Sequence, residues 1–153
     1  MSETHRYRCR LEWSGSTADG YERYSRDHRV AAPPAEDGLR LTSDPAFGGD
    51  PARLDPEQLL LVAASSCQLL SFLAVVARAR IDVVAYEDEA EAVMPEDEEP
   101  MRITRIVLRP RIVIAGDADL ERLRRYVGLA HEQCFIANSL NSEMTIEPRF
   151  EYV

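Results

Sequence analysis

Cysteine is scarce in this chain, with only Cys9, Cys67 and Cys134 among 153 residues. The first ten residues, MSETHRYRCR, are polar and lack an apolar h-region, so no secretory signal and a cytoplasmic location are expected. A small, odd number of thiols in a reducing compartment excludes a permanent disulfide framework, and any disulfide should be transient and chemical. Histidine is equally scarce. With three histidines and no CxxC or HExxH spacing, no metal or other cofactor is expected, although His131 and Cys134 leave one i, i+3 pair to weigh. Basic charge is also short, the net charge being -9. Such a surface repels phosphate backbones and anionic lipids, which argues against nucleic acid and membrane partners. Eight of the 27 acidic residues fall between Glu87 and Glu99, a run that reads as a solvated hairpin rather than a binding site.

What the chain does have is one long apolar stretch, from Asp55 to Arg80. The nineteen residues from Leu59 to Ala77 carry no charge, and their polar side chains are Ser65, Ser66, Gln68, Ser71 and the Cys67 thiol. Asp55 suits an N-cap, Pro56 the first helical position, and Glu57 places negative charge in the first turn. The length approaches the ~20 residues that span a bilayer. The five polar side chains and the acidic remainder favour instead a core helix buried on every side. A free cysteine in such a helix is commonly just a small hydrophobe, so the role of Cys67 depends on the rest of the chain.

Tyr7, Cys9, Leu11 and Trp13 alternate with Arg8, Arg10 and Glu12, the pattern of a half-buried strand with Cys9 facing inward. After the turn-rich SGSTADG, Tyr21 to Val30 reads as its extended partner, and Pro33-Pro34 ends the pairing. Val83 to Met94 and the strand around Ile106, Leu108, Ile112 and Ile114 form a second hairpin, whose wet face sets a row of Glu against Arg105, Arg109 and Arg111. Asp117 or Asp119 caps a second helix with Leu120, Leu123, Val127 and Ala130 on one stripe, which Cys134 continues. The last strand, Met144 to Tyr152, contains Pro148 and so belongs at an edge or carries a bulge. This order predicts an α+β fold with antiparallel sheets and two main helices. One domain over 1–153 is expected, with amino-terminal strands in 1–34, a connecting loop in 35–55, and a helix-hairpin-helix-strand part in 56–153.

Three stretches, WSGSTADGYERYSRDH, DPEQLLLVAASSC and AHEQCFIANS, resemble the OsmC/Ohr family of osmotically inducible and organic-hydroperoxide-reducing proteins. The resemblance covers nearly the whole chain. It implies a thiol peroxidase that works as an intertwined homodimer, with the long helix buried between subunits, Cys67 attacking peroxide and Cys134 resolving the product. Residue chemistry is consistent with this, because a thiolate is the nucleophile and its sulfenic acid condenses with a second thiol. Apolar neighbours would suit an organic hydroperoxide substrate. A dithiol of unidentified nature would be the reductant.

Burial raises a thiol's pKa, so a peroxidase needs a nearby cation. The resemblance implies an amino-terminal arginine held by the glutamate of the first motif. Glu57 fits that glutamate, and among Arg23, Arg26 and Arg29 the match favours Arg26. Ten residues of straight helix rise ~15 Å, so Glu57 cannot reach its own Cys67 directly, and it is expected to serve the site of a second subunit. Where some relatives carry histidine after the first cysteine, this chain has Gln68. Other readings remain open. The fold could serve as a ligand-binding or scaffold protein with weak thiols, His131 could polarise Cys134 or merely cap a carbonyl, and a hydrolase-like use of Cys134 and His131 is a further alternative.

Overall fold

The computed structural model describes residues 2–153, and its contacts divide the chain into two units, Met1–Leu59 and Leu60–Val153.

The amino-terminal unit is an antiparallel three-stranded sheet of β1 (Arg10–Glu12), β2 (His28–Ala31) and β3 (Gly38–Leu41), with β2 in the middle. The expected first hairpin is present, Leu11 opposing Val30, but its strands are shorter than the alternation suggested. Residues 21–24 form a turn and 25–27 are irregular, so the strand begins only at His28. The stretch 35–55, anticipated as a connecting loop, contributes β3, which Leu39 and Leu41 mark as the one apolar break in a Pro- and Gly-rich run. Beyond it, Gly49 lies against the Ser43 backbone, where an added Cβ would collide with the Ser43 carbonyl oxygen, so only glycine fits. The inward face expected of the first strand is not buried in this chain. Leu11 is 60% exposed, and Cys9 is exposed as well.

The long helix α1 spans Pro56–Arg78 and starts where the sequence said it would. Asp55 accepts from the Gln58 N–H at 2.8 Å, and the Gln58 side chain accepts from the Asp55 N–H at 3.1 Å, a reciprocal capping box. Within the single chain the helix is buried on one side. Ala64, Gln68, Phe72, Val75 and Val76 are buried, whereas Val62 is 55% and Leu70 63% exposed. The chain supplies packing partners for one side of the helix only. In the most apolar 18-residue window of this helix, which is long and apolar enough to cross a membrane, 28% is buried.

In the carboxyl-terminal unit, β4 (Asp82–Asp88) and β5 (Glu91–Val93) pair antiparallel with β7 (Pro110–Ala115) and β6 (Arg105–Leu108), respectively. The final β8 (Glu143–Ile146) and β9 (Arg149–Tyr152) run parallel to β6 and β7. The sheets are therefore mixed rather than purely antiparallel. The reason is α2 (Leu120–Glu132), which carries the chain back from the end of β7 so that the last strands set out in the same direction as the middle ones. Pro148 sits in the break between β8 and β9, and these strands form the edge, as a proline without an N–H requires.

On one face of the sheets the core has two parts: fully buried Ile112 and Ile114 of β7 pack with Phe72, Val75 and Val76 of α1 and with Leu123, Val127 and Ala130 of α2, while fully buried Ile106 and Leu108 of β6 pack with Ala64 of α1 and with Ile103. The opposite face is wet. Arg111 reaches Glu87 on one neighbouring strand at 3.4 Å and Glu151 on the other at 2.7 Å, while Arg109 meets Glu91 and Glu147. Asp119, one of the two anticipated caps, starts α2 by accepting from the Arg122 N–H at 2.8 Å.

Candidate active site

Cys67 lies in the middle of α1, and Cys134 follows the last residue of α2 by two positions. Both are free thiols, and each is near enough to the other to shift its ionisation. What joins them is the shared core. Phe72, Val75 and Val76 hold α1 against the stripe of α2 that Cys134 continues, and Cys134 itself is fully buried. Gln68 strengthens the junction from the position after Cys67. It is buried, and its Nε2 donates to the Val127 carbonyl of α2 at 3.2 Å, while its Oε1 has no partner.

The two sulfurs differ in their surroundings. Partial burial opposes ionisation of Cys67, but the backbone N–H of Ile136, the Cys134 thiol, the backbone N–H of Phe135 and the Ser71 hydroxyl together outweigh it and hold this thiol below its ordinary pKa. Cys134 goes the other way. Burial and the neighbouring Cys67, as hydrogen-bond partner and as negative charge, push it up against the opposing N–H groups of Ala137 and Ile136. The Ala137 N–H lies 3.4 Å from the Cys134 sulfur. The chain just after Cys134 turns sharply, with the Asn138 N–H donating to the Cys134 carbonyl and a short 3-10 turn at Ala137–Ser139. That turn aims successive N–H groups at both sulfurs. No residue-type motif announces such donors. Ser71, one helical turn after Cys67, was the part of the set that spacing could have revealed.

Cys67 opens onto a cleft of about 520 Å³ that lies wholly in the carboxyl-terminal unit. Leu70, Ala74 and Phe135 give it apolar walls, and Gln133, Asn138 and Arg78 bring polar groups. A partly exposed, acidified thiol beside an apolar cleft, backed by a buried second thiol, can attack a small electrophile and then close a disulfide.

The other anticipated residues lie in the amino-terminal unit. The Arg26 guanidinium lies over the rings of Tyr24 and Tyr21, 4.1 and 4.7 Å from their centroids, and donates to the Tyr24 and Tyr21 carbonyls. Gly48, with φ 83°, makes room for it, since a Cβ there would meet the guanidinium carbon at 2.8 Å. Arg23 donates to the Asp19 carbonyl, and Arg29 is exposed on β2. Glu57 lies in the first turn of α1. Among the described residues neither Arg26 nor Glu57 forms an ion pair, the guanidinium being engaged by the two tyrosines. His131 sits in the last turn of α2 with its Nδ1 buried and without a hydrogen-bond partner.

Several solved structures share this fold. An OsmC-like protein of unknown function from Vibrio cholerae superposes with a TM-score of 0.86 at 28% identity, over 95% of this chain and 100% of that one. An organic hydroperoxide resistance protein from Legionella pneumophila, described as a predicted redox protein, shares the fold with a TM-score of 0.68 at 15% identity, over 98% and 99% of the two chains. Another from Bacillus subtilis gives 0.62 at 15% identity, over 96% and 98%. No curated protein matches the chain. The family described as OsmC-like protein matches residues 48–149, two-thirds of the sequence, including both thiols and the turn between α2 and β8, and the chain belongs to that family.

Proposed function

We propose that this chain is a thiol peroxidase that reduces organic hydroperoxides, with Cys67 as the attacking thiol and Cys134 as the resolving one. The observation that carries this reading is the opposed pull on two neighbouring thiols, the pKa of Cys67 being lowered at the edge of an apolar cleft while burial raises that of Cys134. The fold it shares with two proteins described as organic hydroperoxide resistance proteins supports the same chemistry.

In the proposed cycle the Cys67 thiolate attacks the terminal oxygen of R–O–O–H. The O–O bond breaks, sulfur is oxidised to S–OH, and RO⁻ leaves and takes up a proton as the alcohol. Cys134 sulfur then attacks the sulfenic sulfur, forming S–S, and the departing hydroxide leaves with the Cys134 proton as water. A dithiol reductant, itself oxidised to a disulfide, returns both cysteines to thiols, as a cytoplasmic setting would allow. Backbone N–H groups at Cys67 serve the thiolate without a cation. Arg26 would add one, and Glu57 would steady that arginine.

Because α1 runs unbroken from Pro56 to Arg78, Glu57 stands ~15 Å along the helix from its own Cys67. We assign it to the site of a second copy in an intertwined homodimer, which would also cover the exposed side of α1. Cumene hydroperoxide consumption with dithiothreitol as reductant tests the assignment of roles. Cys67→Ser should abolish it. Cys134→Ser should complete a first turnover and leave a sulfenic acid on Cys67 that dimedone traps. If Cys67→Ser consumes peroxide as fast as the parent protein, the assignment is wrong.

A further inference from the structure

Among the buried residues described in Leu60–Val153, Gln68, 1% exposed, is the only one with a polar side chain apart from the Cys134 thiol. It lies on the face of α1 that carries Phe72, Val75 and Val76, and its Nε2 crosses to the Val127 carbonyl of α2. Packing does not require an amide there, since a methionine of about the same length would fill the place. The Val127 carbonyl does not need the bond either, because in an unbroken helix it accepts from the N–H four residues on. Gln68 even brings a cost, its Oε1 being buried without a partner among the described residues. A buried polar group kept against such a cost can serve register rather than stability.

The register that matters here is that of two sulfurs. Leu123, Val127 and Ala130 press α2 onto α1 by hydrophobic contact, which has no preferred direction and does not fix how far one helix stands along the other. A hydrogen bond is directional. Gln68 is the peptide neighbour of Cys67, and Val127 stands seven residues before Cys134, about 10 Å of helix. The end of that stretch is tied down as well, the Gln133 N–H donating to the Leu129 carbonyl and the Cys134 N–H to the His131 carbonyl, each at 3.1 Å. We propose that the Gln68–Val127 bond is the pin that sets how far Cys134 stands along α1, which makes Gln68 a positioning residue for closure of the disulfide. The two Cα atoms must lie within ~4.4–6.8 Å for S–S to form, so a slip of ~1 Å is enough to slow closure. The inference rests on the Cys67–Cys134 couple of the peroxidase reading, but not on peroxide as the oxidant.

Gln68→Met removes the pin and the orphaned oxygen together, and Gln68→Leu is a second variant with the same expectations. Parent and variants are equilibrated in graded ratios of oxidised to reduced glutathione, and the Cys67–Cys134 disulfide is followed by mass spectrometry. As that disulfide forms, the thiol pair gives two electrons and two protons to oxidised glutathione, which becomes two glutathione thiols. In the variants the equilibrium constant should fall about tenfold, raising the reduction potential by ~30 mV. The urea midpoint of the reduced variants should stand at or above that of the parent protein. With one equivalent of cumene hydroperoxide, dimedone should trap sulfenic acid on Cys67 in the variants and not in the parent protein, because closure is the slowed step. An unchanged potential, or one that shifts only where the urea midpoint has also fallen, overturns the pin, as does a parent protein that forms no Cys67–Cys134 disulfide. The predicted shift in a protein that consumes no hydroperoxide overturns the peroxidase reading and leaves the pin standing.

Discussion

The chemistry of Cys67 is set by groups that carry no signature of their own. Backbone N–H donors at Phe135 and Ile136 and the Ser71 hydroxyl act on a sulfur whose burial works against ionisation. Both thiols were legible as candidates in the sequence, one in mid-helix and one on the buried stripe of α2, but the turn that brings the donors to them was not, because every residue except proline carries the same N–H. A labelling experiment follows from the direction of the two shifts. Iodoacetamide reacts with thiolate, so Cys67 should be alkylated with a midpoint at lower pH than an ordinary thiol, and Cys134 at higher pH, when each is followed by mass spectrometry across a pH series. Ser71→Ala removes one donor to Cys67 and should move its midpoint upward. Arg26 and Glu57 are different in kind. Their proposed roles came from resemblance, and in this chain Arg26 is engaged by Tyr21 and Tyr24.

At the scale of elements, α1 was the most legible part of the chain because its start is written in local chemistry. Asp55, Pro56 and Glu57 each satisfy a separate need of a helix N-terminus, and the structure adds the reciprocal bond from Gln58. Asp55→Ala should cost about 1 kcal/mol of stability in urea unfolding. Phe72→Ala, which removes a fully buried ring between α1 and the sheet, should cost about 3–5 kcal/mol by the same measurement. The parallel pairing of β8 and β9 was not legible. Alternation in Met144 to Tyr152 specifies which face is buried, but not the direction of the neighbouring strand. Residues 35–55 hid β3 for a related reason, since four residues with two leucines are too few for a periodic signal.

For the molecule as a whole, the sequence demanded more burial than one chain provides. A helix apolar on all sides calls for enclosure, yet Val62 and Leu70 of α1, along with Leu11, Tyr7 and Trp13 of the amino-terminal unit, are exposed. The proposed homodimer accounts for this excess, since a sequence encodes the surfaces of its assembly as well as its own core. Val62→Glu places a charge on the exposed side of α1 and should shift the protein toward monomer in light scattering behind size-exclusion chromatography. An unchanged dimer would place the interface elsewhere, and a monomeric parent protein would remove the need for one.

The central claim is that Cys67 and Cys134 form one redox couple, and it is tested most directly by counting thiols before and after one equivalent of cumene hydroperoxide, followed by non-reducing peptide mapping. The account predicts a fall from three free thiols to one, with Cys9 still free and a single disulfide-linked peptide pair containing Cys67 and Cys134. Three thiols surviving the peroxide, or a disulfide that includes Cys9, would contradict it.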